Sequence, residues 1–359
     1  MFLALALSSP SNERAPSSMG WIVRSVFVAA FFISALAQAQ SRCAQVFASG
    51  DADPAAEYQR QYQRQEKLLR EGAISAHWPA GTSSFGARFV KYADHTLGVW
   101  KPNYAAYNTL RHEIAAARVD RHLGLHLIPP TVVKDLNGTP GSVQWVVGPL
   151  NDKRFNDMLE ELGFLDFLID NRDRSRNNIL QTQDGKLVAI DHGLSFGEPG
   201  NWRSDKGFKT FEQNVETLAA ISLKRQDLEA RLSSASPEQA AALHNGIRVL
   251  RLQESKLQSA IQVFSPLPQV LSNLKTTSAT DWADVLGDSI TPSELQALVE
   301  RQHILIQSFE RAEKRIGPER LYRHAEFSSL SGVVAPPAPS AAPQQQLQKM
   351  KNRRAFGDF

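Results

Sequence analysis

"GFLDFLIDNRDRSRNNILQTQDGKLVAIDHGLSF", residues 163–196, decides how this chain is read. Phe164, Leu165, Phe167, Leu168 and Ile169 lie before its centre, and Leu187, Val188, Ala189 and Ile190 lie after it. Between and just past these apolar runs sit Asp170, Asp173, Asn177, Asn178 and Asp191. Burying a carboxylate costs several kcal/mol unless it is paired, so acids and amides at the ends of buried elements call for a use. The stretch "NILQTQDGKLVAID" predicts a hairpin, with Asp184-Gly185 as its turn. Folding that hairpin returns Asp191 to the neighbourhood of Asn178.

Outward from the hairpin, the pattern divides the chain. On its N-terminal side, residues 53–72 read as a polar helix closed by Gly72. "ARFVKY" and "LGVWK" read as two strands of a hairpin within 82–101, with "ADHT" as the turn. Residues 104–123 read as a helix ended by Gly124. "HLIPPTVVKD" and "GSVQWVVG" read as two further strands. "DMLEELGFLDFLID" reads as a helix with a broad apolar face. Beyond the polar hairpin, helical periodicity runs through roughly 211–233, 237–264 and 292–316. The expected class is α+β, with a strand-rich lobe over 74–149 and a mostly helical lobe over 150–330. A helical extension over 40–73 precedes them, and a Pro-, Ala- and Gln-rich tail, 331–359, follows as a disordered end.

"MGWIVRSVFVAAFFISALAQAQ" has the plan of an export signal: Arg24, an apolar run from Val26 to Leu36, and a small-x-small site at Ala37-Gln38-Ala39. Residues 1–39 are therefore expected to be a signal peptide, with Met19 a candidate true start, and the protein to be exported, periplasmic or secreted. The alternative is an uncleaved anchor. After cleavage no membrane span is expected. A single cysteine, Cys43, excludes an internal disulfide and a cysteine zinc cluster. The net charge of +3 and the lack of an aromatic-interleaved basic stripe argue against nucleic acid as partner.

Moving a phosphoryl group off a nucleotide needs a carboxylate at the acceptor hydroxyl, hard oxygen ligands for magnesium, and a lysine on the phosphates positioned by an acid. Such a set occurs here in order. Lys101 ends a strand, Glu113 lies mid-helix, Asp173 follows an apolar helix, Asn178 opens a strand and Asp191 closes the next.

At these residues the chain resembles the atypical kinases: phosphatidylinositol 3-/4-kinase-like enzymes with the type II lipid kinases, the four-jointed and Golgi casein kinase group, and HipA-like bacterial kinases. "DFLIDNRDRSRNNIL" resembles their catalytic loop and "LVAIDHGLSF" their metal-binding turn. "GVWKP" resembles the nucleotide-lysine strand, and "RHEIAAARVDRHLGLHLIPPTVV" the unit that supplies the pairing glutamate. The similarity covers roughly 75–215. It implies a two-lobed protein-kinase-like fold using ATP and Mg²⁺. By position it implies Asp173 as catalytic carboxylate beside Arg174, Asn178 and Asp191 as metal ligands, and Lys101 on the phosphates paired with Glu113. It further implies that the "GTSSFG" loop, with Gly81, Ser83, Ser84 and Gly86, covers the phosphates through backbone N–H groups. Trp145 and Val147, in "VQWVVGPL", would pass near the adenine. The loop departs from the family in lacking a glycine-rich fingerprint.

The acceptor stays open: a hydroxyl of a protein, a lipid or a sugar suits this loop, with protein favoured. Two alternatives to a kinase are a secreted pseudokinase acting as a binding or regulatory module, and nucleotidyl transfer on the same fold. Two motifs mislead. "GLSFG", residues 193–197, matches a nucleophile elbow but is followed by "EPGNWRSD", which starts no helix. "HEIAA" has Ala116 where a zinc helix needs histidine. His192 is expected to pack or hydrogen-bond, and Asp170 and Asn177 are expected to stay outside the chemistry.

Overall fold

The computed structural model describes residues 54–80, 86–104, 108–148, 150, 162–183, 186–198 and 205–322. The chain divides into two units, Met1–Glu57 and Tyr58–Phe359, and the second carries the features below. The expected signal segment, the tail, the loop residues Gly81 to Phe85 and the Asp184-Gly185 turn lie outside the described residues.

After helix α1 (Pro54–Glu71) come β1 (Ile74–Pro79), β2 (Arg88–Tyr92), β3 (Leu97–Pro102), α2 (Thr109–Leu123), β4 (Thr131–Leu136) and β5 (Thr139–Trp145). The strands form one antiparallel sheet in the order β1-β2-β3-β5-β4. Strand β1 was not anticipated. It is an edge strand with no buried residue, so "ISAHWP" has no apolar alternation to betray it.

Period-2 alternation gives the sheet two different faces. One carries Val90, Tyr92, Trp100, Val132, Leu136 and Val143 and is covered by Leu69 of α1. Trp100 lies flat there, with its indole N–H donating to the Lys134 carbonyl at 3.0 Å. Two glycines leave room for the side chains on this face. A Cβ at Gly141 would sit 2.5 Å from the Trp100 ring, and one at Gly98 would sit 2.7 Å from Val143. The other face carries Phe89, Leu97 and Val99 with Ala80 and Ala87. Lys101, two residues beyond Val99, belongs to that second face.

Helix α2 buries Ala115, Ala116, Ala117, Val119 and Leu123, and ends at Gly124 in the left-handed region, φ 76°. Asp120 on this helix is fully buried, with one carboxylate oxygen accepting from the Leu127 N–H at 2.9 Å. Burial raises its pKa to about 7, against the pull of the Leu127 and Ile128 amides and of Lys186. In the unfolded chain Asp120 ionises near 4, while in the folded one it holds its proton to about 7. The fold therefore loses stability as pH rises between those values, by up to about 4 kcal/mol. Asp120→Asn is expected to flatten that fall, measured as urea midpoints from pH 4 to 7. An unchanged pH slope would mean that this carboxyl is ionised in the fold.

The helical region contains α3 (Gly163–Ile169), the hairpin β6 (Ile179–Gln181) and β7 (Leu187–Ala189), α4 (Asp205–Leu232), α5 (Pro237–Phe264), α6 (Pro268–Thr276), α7 (Ala279–Leu286), α8 (Pro292–Ile316) and α9 (Pro318–Leu321). Helices α5 and α8 start at capping boxes, Ser236 with Gln239 and Thr291 with Glu294, each with proline in the first turn. The core collects Phe164, Phe167, Phe211, Phe264, Trp282 and Phe309, together with the alanines of α2. Helices α6 and α7 were not anticipated, because at 9 and 8 residues they are too short to display a period. Of the expected helix over 157–170, residues 163–169 are helical and 151–161 lie outside the described residues.

Candidate active site

Each end of the opening stretch is held by its backbone. Strands β6 and β7 pair Ile179 with Ala189, and the Ile190 N–H donates to the Asn178 carbonyl at 3.0 Å. Asn178, buried, ends a 3-10 turn over Arg176–Asn178, and its side-chain amide donates to the Asp173 carbonyl at 2.8 Å. Asp191 follows in a left-handed conformation, φ 64°. That geometry is strained for a non-glycine residue, and asparagine and aspartate tolerate it best.

Lys101 joins this group from the sheet. Its ammonium donates to a Glu113 carboxylate oxygen and, at 2.8 Å, to Asp191 Oδ1. Burial acts to lower the lysine pKa, but Glu113 and Asp191 together hold it above its usual value. Glu113 is buried, and its second oxygen has no hydrogen-bond partner among the described residues. Asp173 is exposed, and its carboxyl is raised by desolvation and by the charge of Asp191, against Arg174 and Lys101. The structure therefore brings Lys101, Glu113, Asn178, Asp191 and the Asp173 loop together.

Arg174 braces the loop. Its guanidinium forks onto both oxygens of Asp166, each at 2.9 Å. It also donates to the Asn178 and Ile190 carbonyls at 2.9 and 3.0 Å, and to His192 Nε2 at 2.8 Å. Since arginine can only donate, that histidine nitrogen accepts. Burial and the cations Arg174 and Lys101 hold the His192 imidazole well below its usual pKa, which agrees with a neutral ring. Asp170 is buried in a left-handed turn and accepts from Arg172 Nε at 2.9 Å. Asn177 is exposed.

Gly197 closes against this layer. A Cβ there would overlap the Arg172 guanidinium and the Asp170 carboxylate. Arg172 can swing away but Asp170 is buried, so Gly197→Ala is expected to cost about 1–3 kcal/mol, seen as a lower urea midpoint at unchanged m-value. A midpoint equal to the parent's would mean the turn yields freely.

The remaining expected contacts divide. Trp145 is not brought to the lysine. Its side chain packs against the cluster that includes Trp100 and Val143, on the sheet face opposite Lys101, because residues 141, 143 and 145 share one side of β5. Val147 lies just past the strand, half-buried. Gly86 is described, at φ 67°, while Gly81, Ser83 and Ser84 lie outside the described residues. Ser195 is buried and presents no exposed nucleophile.

Among the described residues no group of three His, Cys, Asp or Glu side chains is placed to hold a metal. Asp191 and Asn178 offer hard oxygen donors of the kind magnesium takes alongside phosphate oxygens and water.

Residues 144–230 match the family model described as phosphatidylinositol 3- and 4-kinase. Over that stretch the chain is similar to the atypical kinases. The matched segment contains Asp173, Asn178 and Asp191, and Lys101 and Glu113 lie ahead of it. The expected α+β order is the one observed, a five-stranded sheet followed by a mostly helical region. Among solved structures, the chain is similar to the Golgi casein kinase with Mn/ADP bound, at 12% identity and a TM-score of 0.45 over 76% of this chain and 84% of that one. It is also similar to hydra Fam20 with sugar, at 14% identity and a TM-score of 0.45 over 72% of this chain and 90% of that one. No curated protein matches the chain.

Proposed function

We propose that the protein is a Mg-ATP-dependent kinase that transfers the γ-phosphoryl group to a hydroxyl of a protein, lipid or sugar. The observation that carries this reading is the Lys101 ammonium, held between Glu113 and Asp191, with Asn178 and the Asp173 loop fixed to the same turn. Asn178 and Asp191 would hold magnesium, which when bound neutralises charge on the phosphate oxygens. Lys101, oriented by Glu113, places a cation on the phosphates. Asp173, exposed and raised in pKa, accepts the hydrogen bond of the acceptor hydroxyl and orients it for in-line attack. Arg174 keeps Asp173 at a set distance from Asn178. Gly86 with the residues preceding it would cover the phosphates, and the chain at Val147 would pass the adenine with the Trp145 backbone.

Export belongs to the same proposal: residues 1–39 would be a signal peptide, checked by N-terminal sequencing of the mature protein. Among the described residues no helix is long and apolar enough to cross a membrane.

Calorimetric titration of Mg-ATP into the parent protein is expected to give saturable binding that Asp191→Ala removes. No binding by the parent would remove the nucleotide from the proposal. Labelled ATP offered with a panel of proteins, inositol lipids and glycans then identifies the acceptor, and intact mass separates a transferred phosphate from a transferred nucleotide.

A further inference from the structure

The histidine of "HEIAA", left over when the zinc motif failed, stands beside Glu113 and is buried. Its ring bridges two elements far from it in sequence. His112 Nδ1 lies 3.2 Å from the Gly193 carbonyl, two residues past Asp191. His112 Nε2 lies 2.9 Å from Glu294 Oε1, in the first turn of α8. Glu294 is itself fixed, since its other oxygen accepts from the Thr291 N–H at 2.7 Å in the capping box. Burial raises the Glu294 carboxyl, but the His112 hydrogen bond and the Thr291 amide bring it below its usual value.

The packing around the ring is equally close. A Cβ on Gly193 would lie 3.1 Å from Thr109 Cβ, so the turn after Asp191 sits directly on the first turn of α2. The Phe196 ring lies 5.7 Å from the His112 ring. Further along α8, Arg301 donates to the Leu168 carbonyl at 2.8 Å and to the Gly197 carbonyl at 3.4 Å. Helix α8 thus grips both ends of the 193–197 turn, once through His112 and once through Arg301.

We infer that His112 is a positioning residue, which sets the helix bearing Glu113 and the turn bearing Asp191 in one register against the α8 N-terminus. Lys101 must reach both carboxylates at once, so a slip between α2 and the 191–193 turn pulls its two partners apart. His112 prevents that slip by holding the Gly193 carbonyl against α2. One oxygen faces each ring nitrogen, the Gly193 carbonyl at Nδ1 and the Glu294 carboxylate at Nε2. Geometry rather than net charge does the positioning. In Glu294→Gln the amide oxygen can take the Thr291 N–H while the amide N–H donates to Nε2 of a ring that still donates from Nδ1 to Gly193.

This inference rests on the kinase reading for its catalytic consequence, though not for the register itself. Two readouts on the full chain separate them. Hydrogen exchange in peptides covering 188–197 is expected to speed up about tenfold or more in His112→Phe and Glu294→Ala, and to stay at parental rates in Glu294→Gln. Phosphoryl transfer in the first two variants is expected to lose about 10- to 100-fold in kcat with KM for ATP little changed, and Glu294→Gln is expected to restore it. Unchanged exchange in His112→Phe would overturn the register. Faster exchange with unchanged kcat would overturn the positioning role. A parent that transfers no phosphate while its variants show the expected exchange sinks the kinase reading and leaves the register standing.

Discussion

Asp173→Asn is expected to lower phosphoryl transfer by about 10²–10⁴-fold while leaving Mg-ATP binding and the urea midpoint near those of the parent. Asp173 is exposed, and among its hydrogen bonds its backbone N–H donates to Asn171 Oδ1 at 3.2 Å. The backbone carbonyl that receives the Asn178 amide is untouched by the substitution. The fold therefore has little reason to respond. An amide cannot take the proton or the full hydrogen bond that an acceptor hydroxyl gives up, so the loss should fall on kcat. Single-turnover transfer of labelled phosphate to the acceptor found by the panel is the measurement. Transfer at the parental rate would mean that the catalytic group lies elsewhere.

Arg174→Ala is expected to be the most damaging single change for stability, at about 3–5 kcal/mol. Arg174 and Asp166 are both nearly inaccessible, at 8% side-chain exposure each. Removing the guanidinium leaves a buried carboxylate without its cation. It also strips donors from two carbonyls, Asn178 and Ile190, at the two ends of the hairpin that carries Asn178 and Asp191. Arg174→Lys should recover little, because a single ammonium cannot fork onto Asp166 and reach both carbonyls. Urea denaturation reads the effect. A cost below about 1 kcal/mol would show that water or a neighbour replaces the guanidinium.

How much of this could be read beforehand depended on whether the signal was local. Asp173, Asn178 and Asp191 could be grouped from the sequence because all three lie on one loop and hairpin, whose strand pairing brings its ends together. Lys101 and Glu113 were legible through motif order, although nothing in their spacing states that Lys101 also reaches Asp191. The Trp145 side chain lies on the sheet face opposite Lys101, which its place in the sequence does not state. The face a strand residue occupies depends on register, here set by pairing with Gly98 and by Trp100 filling the space above Gly141. His112 was noticed only as a failed zinc motif, because its partners Gly193 and Glu294 lie 81 and 182 residues away.

The sequence by itself determined the α+β order, the hairpin, the Gly124 end of α2 and the identity of the charged groups, since each follows from periodicity, turn chemistry or residue type within a few positions. Only the tertiary structure decided which side of the sheet carries Lys101, that Arg174 ties α3 to both ends of the hairpin, and that α8 reaches back to the turn after Asp191. Those choices are made by contacts between segments remote in the chain, where packing and pairing select one register among several that local preference would allow.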